Sequence, residues 1–201
     1  MSLDFIYLAS ESPRRRELLQ QIGVSFRLVG AAVDEAVLAG ESPPAYVARL
    51  AAAKADAGWQ NCRDAQPAPV LAADTAVILD GKILGKPADR RDAEDMLEQL
   101  SGRTHEVLTA IALRTAAGHS SRISRSEVTF RAIAAGEVRA YWETGEPCDK
   151  AGAYAIQGRA AVFVADLRGS FSGVMGLPLF ETAELLSDAG IAYWDAGGKT
   201  R

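Results

Sequence analysis

The apolar run Val70-Leu71-Ala72-Ala73 and its continuation Ala76-Val77-Ile78-Leu79 most constrain what this chain can fold into. Both halves suit a buried strand rather than a half-exposed one. Asp80-Gly81 follows at once and makes a two-residue hairpin turn into Lys82-Ile83-Leu84. Asp74-Thr75 interrupts the run. A carboxylate within a buried strand must be paired, coordinate a cation or sit at the lip of a cleft. Two readings follow. Asp74 caps backbone N–H groups in a strand bend with Thr75 as local partner, or it is a general base or metal ligand facing phosphate.

Around this run, strands and helices alternate in places and hairpins intrude in others, which predicts an α/β fold with a mixed sheet. Residues 5–9 read as a buried strand, 13–23 as a helix and 26–29 as a second strand. Ser42-Pro43-Pro44 opens a helix that ends at Gly58, followed by a polar, proline-containing loop over 60–69. Gly85-Lys86-Pro87 leads into a helix with Ala93, Met96, Leu97 and Leu100 inward, stopped by Gly102. Residues 106–114 and 126–133 read as strands joined by a polar, glycine-containing connection. A helix is expected over 135–144, a strand over 160–167 and a last helix over 178–189. The 201 residues, with 48% hydrophobic and 24% charged, can build one large domain or two small lobes. We expect one two-lobed domain over 1–194 and a frayed tail over 195–201.

The net charge of −4 argues against a protein that coats nucleic acid, because no domain-wide basic field exists. Local arginine clusters suit a small anionic ligand better. Cys62 and Cys148 are too few for a disulfide framework. Nothing at the N-terminus resembles a signal peptide, and no apolar run approaches the roughly 20 residues of a membrane span. These features predict a soluble, cytoplasmic protein.

Three further positions fit their surroundings poorly. Arg14 and Arg15 follow Ser12-Pro13 in the first turn of a helix, where the dipole and free N–H groups disfavour cations. They are either solvated and partly paired with Glu11 and Glu17, or they face a bound anion such as phosphate. Lys54 shares a helix face with Val47, Leu50 and Ala51. It either snorkels from the edge of that stripe or reaches a partner. In the segment 146–158, Ala151, Gly152 and Ala153 allow close backbone approach. Gln157 there could read the edge of a base or pin the turn before Gly158. His105 and His119 with the two cysteines show no zinc-ligand spacing. No Walker loop and no nucleophile elbow is present.

Seven pieces of the chain, in order, resemble the Maf family of nucleoside triphosphate pyrophosphatases: Leu8-Ala9-Ser10-Glu11-Ser12-Pro13-Arg14-Arg15, Val33-Asp34-Glu35, Ala73-Asp74-Thr75, Gly85-Lys86-Pro87, Ser101-Gly102-Arg103-Thr104-His105, the run from Asp149 to Gly158, and Gly176-Leu177-Pro178-Leu179. Glu11 departs from the small residue expected between the two serines, leaving Ser10 and the arginines in place. Asp149-Lys150-Ala151-Gly152 with Ile156-Gln157-Gly158 resembles the branch acting on dTTP and UTP. The resemblance implies a mixed, curved sheet with flanking helices and two lobes around a deep nucleotide-binding cleft, a Maf/ITPase-like fold. It assigns Asp74 as catalytic proton acceptor and ties Arg14, Thr75 and Gln157 to substrate choice. Ser10, Arg15, Glu35, Lys54, Lys86 and Lys150 match polar positions lining the cleft. The implied reaction is hydrolysis of dTTP, UTP and modified pyrimidine nucleotides to the monophosphate and pyrophosphate. A divalent cation, Mg²⁺ or Mn²⁺, is expected with it, held by Asp74 and Glu35. A homodimer is common in the family. The competing reading is a nucleotide-sensing regulator of septum formation that binds without turnover.

Overall fold

Buried Ile6-Tyr7-Leu8-Ala9 forms β1 (Ile6–Ala9) in the computed structural model, which describes residues 5–62 and 67–194. Ser12 and Pro13 start α1 (Pro13–Gln21), with Pro13 at its first position. Ser12 makes no side-chain cap, so the first N–H groups of α1 lack that partner. β2 (Phe26–Leu28) and α2 (Pro43–Asn61) follow. β3 (Val70–Leu79) turns at Asp80-Gly81 into β4 (Lys82–Leu84). Asp89 caps α3 (Arg90–Leu100) by accepting from the Asp92 N–H at 2.9 Å, and the expected Ala93, Met96, Leu97 and Leu100 are its buried face. β5 (Thr104–Thr115) and β6 (Gly118–Phe130) form a long hairpin. α4 (Ala135–Trp142) leads to 3₁₀ turns at Glu146–Asp149, Ala151–Ala153 and Arg159–Phe163. β7 (Val164–Arg168), α5 (Phe171–Met175) and α6 (Leu179–Asp188) complete the described chain.

The seven strands form one mixed sheet, ordered β2-β1-β3-β5-β6-β7 with β4 on β3. β1 runs parallel to β2 and β3, and every later pairing is antiparallel. Alternate β3 side chains face opposite sides. Val70, Ala72, Ala76 and Ile78 pack with Val47, Ala51 and Ala55 of α2. On the other face there are two cores rather than one. Leu71 and Ala73 join Leu18 and Leu19 of α1 and Leu185 and Leu186 of α6. Val77 and Leu79 join Met96 and Leu97 of α3 and Tyr141 of α4. Thr75 sits at the division between them.

Several expectations need correction. β3 is not broken at Asp74-Thr75, because Asp74 pairs with Ala110 and Thr75 with Thr109 in β5. β6 begins at Gly118 rather than Ser126; residues 119–127 are polar on both faces except at Ile123, with Ser124 and Ser126 buried and Arg125 and Glu127 exposed, and the strand pairs along its length with β5. The expected strand at 160–167 is a 3₁₀ turn up to Phe163, and α5 was not foreseen. Positions 1–4, 63–66 and the tail expected to fray lie outside the described residues.

α2 also runs through Gly58, where the sequence suggested a stop. A Cβ there would stand 2.9 Å from Val70 Cγ1, 3.0 Å from Ala9 Cβ and 3.1 Å from Val29 Cγ1. The glycine lets the helix lie close on β1 and β3. Gly58→Ala should therefore lower stability by up to about 2 kcal/mol, since overpacking costs roughly 1–3 kcal/mol and the gain in helix propensity is only about 1 kcal/mol. Urea unfolding reads this as a lower midpoint at unchanged slope. A midpoint at or above the native one would show that the contact yields at no cost.

Candidate active site

The site lies at a gap in the sheet. On one edge of β3, β1 pairs with residues 70–72 and β4 with 77–79. Residues 73–76 face neither, and Asp74 and Thr75 occupy the middle of that opening. Because successive side chains point to opposite faces, Asp74 turns toward α2 and Thr75 toward α5. Both nevertheless reach one cleft of about 630 Å³, which also takes in Ser10, Arg14, Arg15, Glu35, Lys54, Lys86, Lys150 and Gln157. The structure thus brings every sequence-derived candidate to one cavity.

Asp74 is 7% exposed. Its Oδ1 accepts from Lys54 Nζ at 2.7 Å, and the same ammonium lies 2.5 Å from Glu35 Oε1. Burial pushes the Asp74 carboxyl above the ordinary aspartate range, and Lys54 and Arg15 only partly oppose it. Glu35 is held below the ordinary range, foremost by its hydrogen bond to Lys54. Lys54 therefore does not snorkel from the edge of the apolar stripe. It reaches across α2 to the carboxylate in β3.

Arg15 is not paired with Glu11 or Glu17. Its Nε donates to the Gly176 carbonyl at 2.7 Å, Nη1 to Ser10 Oγ and Nη2 to Thr75 Oγ1, both at 3.2 Å. Burial pulls the guanidinium down to about 10, so it stays charged at neutral pH. Three of its five N–H groups are thereby used, and two remain for a ligand. Thr109 Oγ1 donates to the Gly173 carbonyl at 2.7 Å, which leaves its lone pair for the Thr75 hydroxyl 2.9 Å away. Thr75 is therefore a donor to Thr109 and an acceptor from Arg15, so its hydroxyl proton is committed inside the protein.

Arg14 is half-buried, and Lys86 and Gln157 are exposed. Among the described residues the side chains of these three make no hydrogen bond, so all remain available. The bland reading of Gln157 as a side chain pinning its own turn finds no such bond. Lys150 pairs with Asp149, whose carboxyl burial pushes up but Lys150 and Arg14 together hold below its ordinary range. The small residues at 151–153 admit β3 itself: a Cβ on Gly152 would meet Val77 at 2.9 Å, and its N–H donates to the Gly85 carbonyl at 3.0 Å.

Sequence reasoning missed Tyr46, which lines the cleft and donates to the Glu35 carbonyl at 3.1 Å. It also missed Arg49, which grips Glu41 through two bonds at 2.6 and 2.7 Å and steadies the Glu35 loop by donating to the Ala36 carbonyl at 3.0 Å. Tyr46 lies two turns before Lys54 on α2, so that shared spacing was the available signal. His105 belongs to the core instead. It meets Tyr154 Oη at 2.8 Å, and burial lowers it to about 4, so it is neutral.

For a divalent cation, the described residues contain no group of three or more His, Cys, Asp or Glu side chains. Asp74 and Glu35 do converge on one point, now held by the Lys54 ammonium. Two carboxylates fit a hard ion that completes its shell with phosphate oxygens and water.

A buried carboxylate flanked by arginines and lysines, at a gap in a mixed sheet, defines an α/β protein with a cleft for a polyanionic ligand. The chain belongs to the Maf family: the family of Maf-like proteins matches residues 5–189. It is 55% identical over 196 residues to a dTTP/UTP pyrophosphatase of Cupriavidus metallidurans, covering 94% of this chain and 98% of that one. It is 53% identical over 191 residues to a dTTP/UTP pyrophosphatase of Alkalilimnicola ehrlichii, covering 94% of each. Among solved structures, the Staphylococcus aureus Ham1 protein matches with a TM-score of 0.41 at 15% identity, over 65% of this chain and 72% of that one.

Proposed function

We propose that this chain hydrolyses dTTP and UTP, and modified pyrimidine nucleotides with them, to the monophosphate and pyrophosphate, as a house-cleaning enzyme of the nucleotide pool. The observation that carries the reading is Asp74, a buried carboxylate whose affinity for a proton is raised, placed among cations in a nucleotide-sized cleft. A protein that only binds triphosphate gains nothing from a carboxylate beside the phosphates. Asp74 takes the proton of the attacking water, and Lys54 keeps that carboxylate oriented and ionised. Arg14, Lys86 and the two free N–H groups of Arg15 neutralise the phosphate oxygens. Asp74 and Glu35 would hold Mg²⁺ or Mn²⁺, which supplies further charge neutralisation on the triphosphate. A pyrophosphate-release assay across the natural triphosphates with Mg²⁺ or Mn²⁺ tests the proposal. Release confined to dTTP and UTP is expected; no release above background from any triphosphate sinks it.

Gln157 carries the preference for thymine and uracil in this reading. Thymine and uracil both present a carbonyl, N3–H and a second carbonyl on one edge. One amide can donate to a carbonyl while accepting from N3–H, a pairing that adenine cannot offer in that register. Gln157→Ala should cost about 1–3 kcal/mol for dTTP and UTP, or roughly 5- to 150-fold in kcat/KM. ATP and CTP, whose bases carry no ring N–H on that edge, should change little. Kinetics with dTTP, UTP, CTP and GTP on the folded variant decide it, and an unchanged ranking removes Gln157 from base recognition.

A further inference from the structure

Gln157 makes no side-chain hydrogen bond among the described residues, yet its backbone is anchored on both sides. Before it, the Ala155 N–H donates to Tyr141 Oη at 3.2 Å. After it, the Arg159 N–H donates to Glu146 Oε2 at 3.1 Å and the Ala160 N–H to Glu146 Oε1 at 3.4 Å. The two anchors are themselves joined, because the Tyr141 hydroxyl donates to Glu146 Oε1 at 2.7 Å. Gly158 lies directly over this carboxylate, and a Cβ there would collide with both of its oxygens. The loop from Ala155 to Ala160 is thus strapped over a phenol–carboxylate pair. Tyr141 itself is fixed, 4% exposed in the core and edge-on to Phe163 with ring centroids 5.4 Å apart.

Neither Tyr141 nor Glu146 lines the cleft. We infer that Tyr141 and Glu146 are positioning residues that set the base selectivity of this enzyme by fixing the turn that presents Gln157. The inference rests on the proposed base-reading role of Gln157. A recognition amide must offer its donor and acceptor in one orientation, and displacements of about 1 Å are costly in an active site. An exposed side chain on a free loop would spread over many orientations and lose discrimination. The chemistry explains the residue types. A carboxylate can accept three bonds at two oxygens, whereas a glutamine there would set its NH₂ against the Arg159 N–H. The phenol serves two partners at once, accepting from Ala155 and donating to Glu146.

The test compares Tyr141→Phe, Glu146→Gln, Gln157→Ala and the double variant Glu146→Gln/Gln157→Ala. Each is assayed for kcat and KM with dTTP, UTP, CTP and GTP, alongside melting temperature and amide hydrogen exchange at Ala155, Arg159 and Ala160. Tyr141→Phe keeps the shape of the buried ring, so it is the variant surest to fold. Each clamp variant should speed exchange in the turn and narrow the dTTP-to-CTP ratio of kcat/KM by roughly 5- to 50-fold. Most of that loss should fall on KM for dTTP and UTP, with kcat for CTP unmoved. Glu146→Gln should have no further effect on the ratio once Gln157 is alanine. A lower melting temperature and faster exchange with the native ratio retained would overturn the inference, leaving a merely structural clamp. Additive losses in the double variant would overturn it too, since the two residues would then act independently. If Gln157→Ala alone keeps the native ranking, the base-reading role itself fails, an outcome distinct from failure of the clamp.

Discussion

Asp74→Asn is expected to fold like the native chain and to lose about 10²- to 10⁴-fold in turnover, the range for removing a positioned general base. The amide keeps an oxygen for Lys54 and nearly the same volume, so the 2.7 Å contact can persist. What disappears is the group that takes the proton. The variant should still bind nucleotide, and more tightly, because one negative charge beside the phosphates has gone. The native pH profile should fall on the acid side as Asp74 protonates, at a pH above the ordinary aspartate value of 3.8. That limb should vanish in the variant.

Stability should move the other way. Burial raises the Asp74 pKa in the folded state, so the folded protein binds this proton more tightly than the unfolded chain. The stabilising contribution is fully present below about 3.8 and is lost as pH rises through the raised value. At neutral pH an ionised Asp74 is therefore a cost to the fold, and Asp74→Asn should melt no lower than the native protein. Sites that sacrifice stability for chemistry behave this way. More than a tenth of native turnover would remove Asp74 as the base. A markedly lower melting temperature would make it a structural partner of Lys54.

Arg15→Lys is expected to be the conservative change in the cleft that costs the most stability. Its guanidinium reaches Gly176, Ser10 and Thr75 in three directions from one planar group. A single ammonium cannot reproduce that fork. Loss of these charge-assisted bonds, with the Gly176 carbonyl left unmatched, should cost about 2–4 kcal/mol of stability. Loosening α1 against Thr75 should also lower kcat/KM by about 10²-fold. Arg14→Ala is the informative contrast. Its side chain holds nothing in place among the described residues, so stability should change by less than about 0.5 kcal/mol. KM should nevertheless rise for every triphosphate. Denaturant titration beside steady-state kinetics separates the two arginines, and equal stability losses would contradict this division of roles.

Much of the site was legible because its residues break local rules. Asp74 stands in an apolar strand, Lys54 stands on an apolar helix face, and two arginines stand at a helix start. Each anomaly costs free energy locally, so each had to be compensated by something outside its own segment. Helices with a clear apolar stripe were equally legible, as in α3, where Ala93, Met96, Leu97 and Leu100 are the buried face. β6 was half-missed because residues 119–127 are polar on both faces except at Ile123, even where Ser124 and Ser126 are buried, and such a strand looks like a loop until its partner is known. Tyr141 carried no signal, and Glu146 carried only its place at the start of the unusual segment 146–158, since nothing local pairs a phenol with a carboxylate five residues on.

The sequence by itself determined the inventory: two carboxylates, their cations and one amide, on segments whose helical or extended character follows from local pattern. Only the tertiary structure decided that they form a site. The opening at residues 73–76 exists because β1 stops pairing with β3 at Ala72 and β4 pairs with it only from Val77 onward, and neither limit is written in β3. Arg15 is directed by partners 60 and 161 residues away. Periodicity reports which face of an element is buried, whereas strand register and long-range hydrogen bonds depend on how whole elements pack. The direction of a charged side chain is settled by that packing.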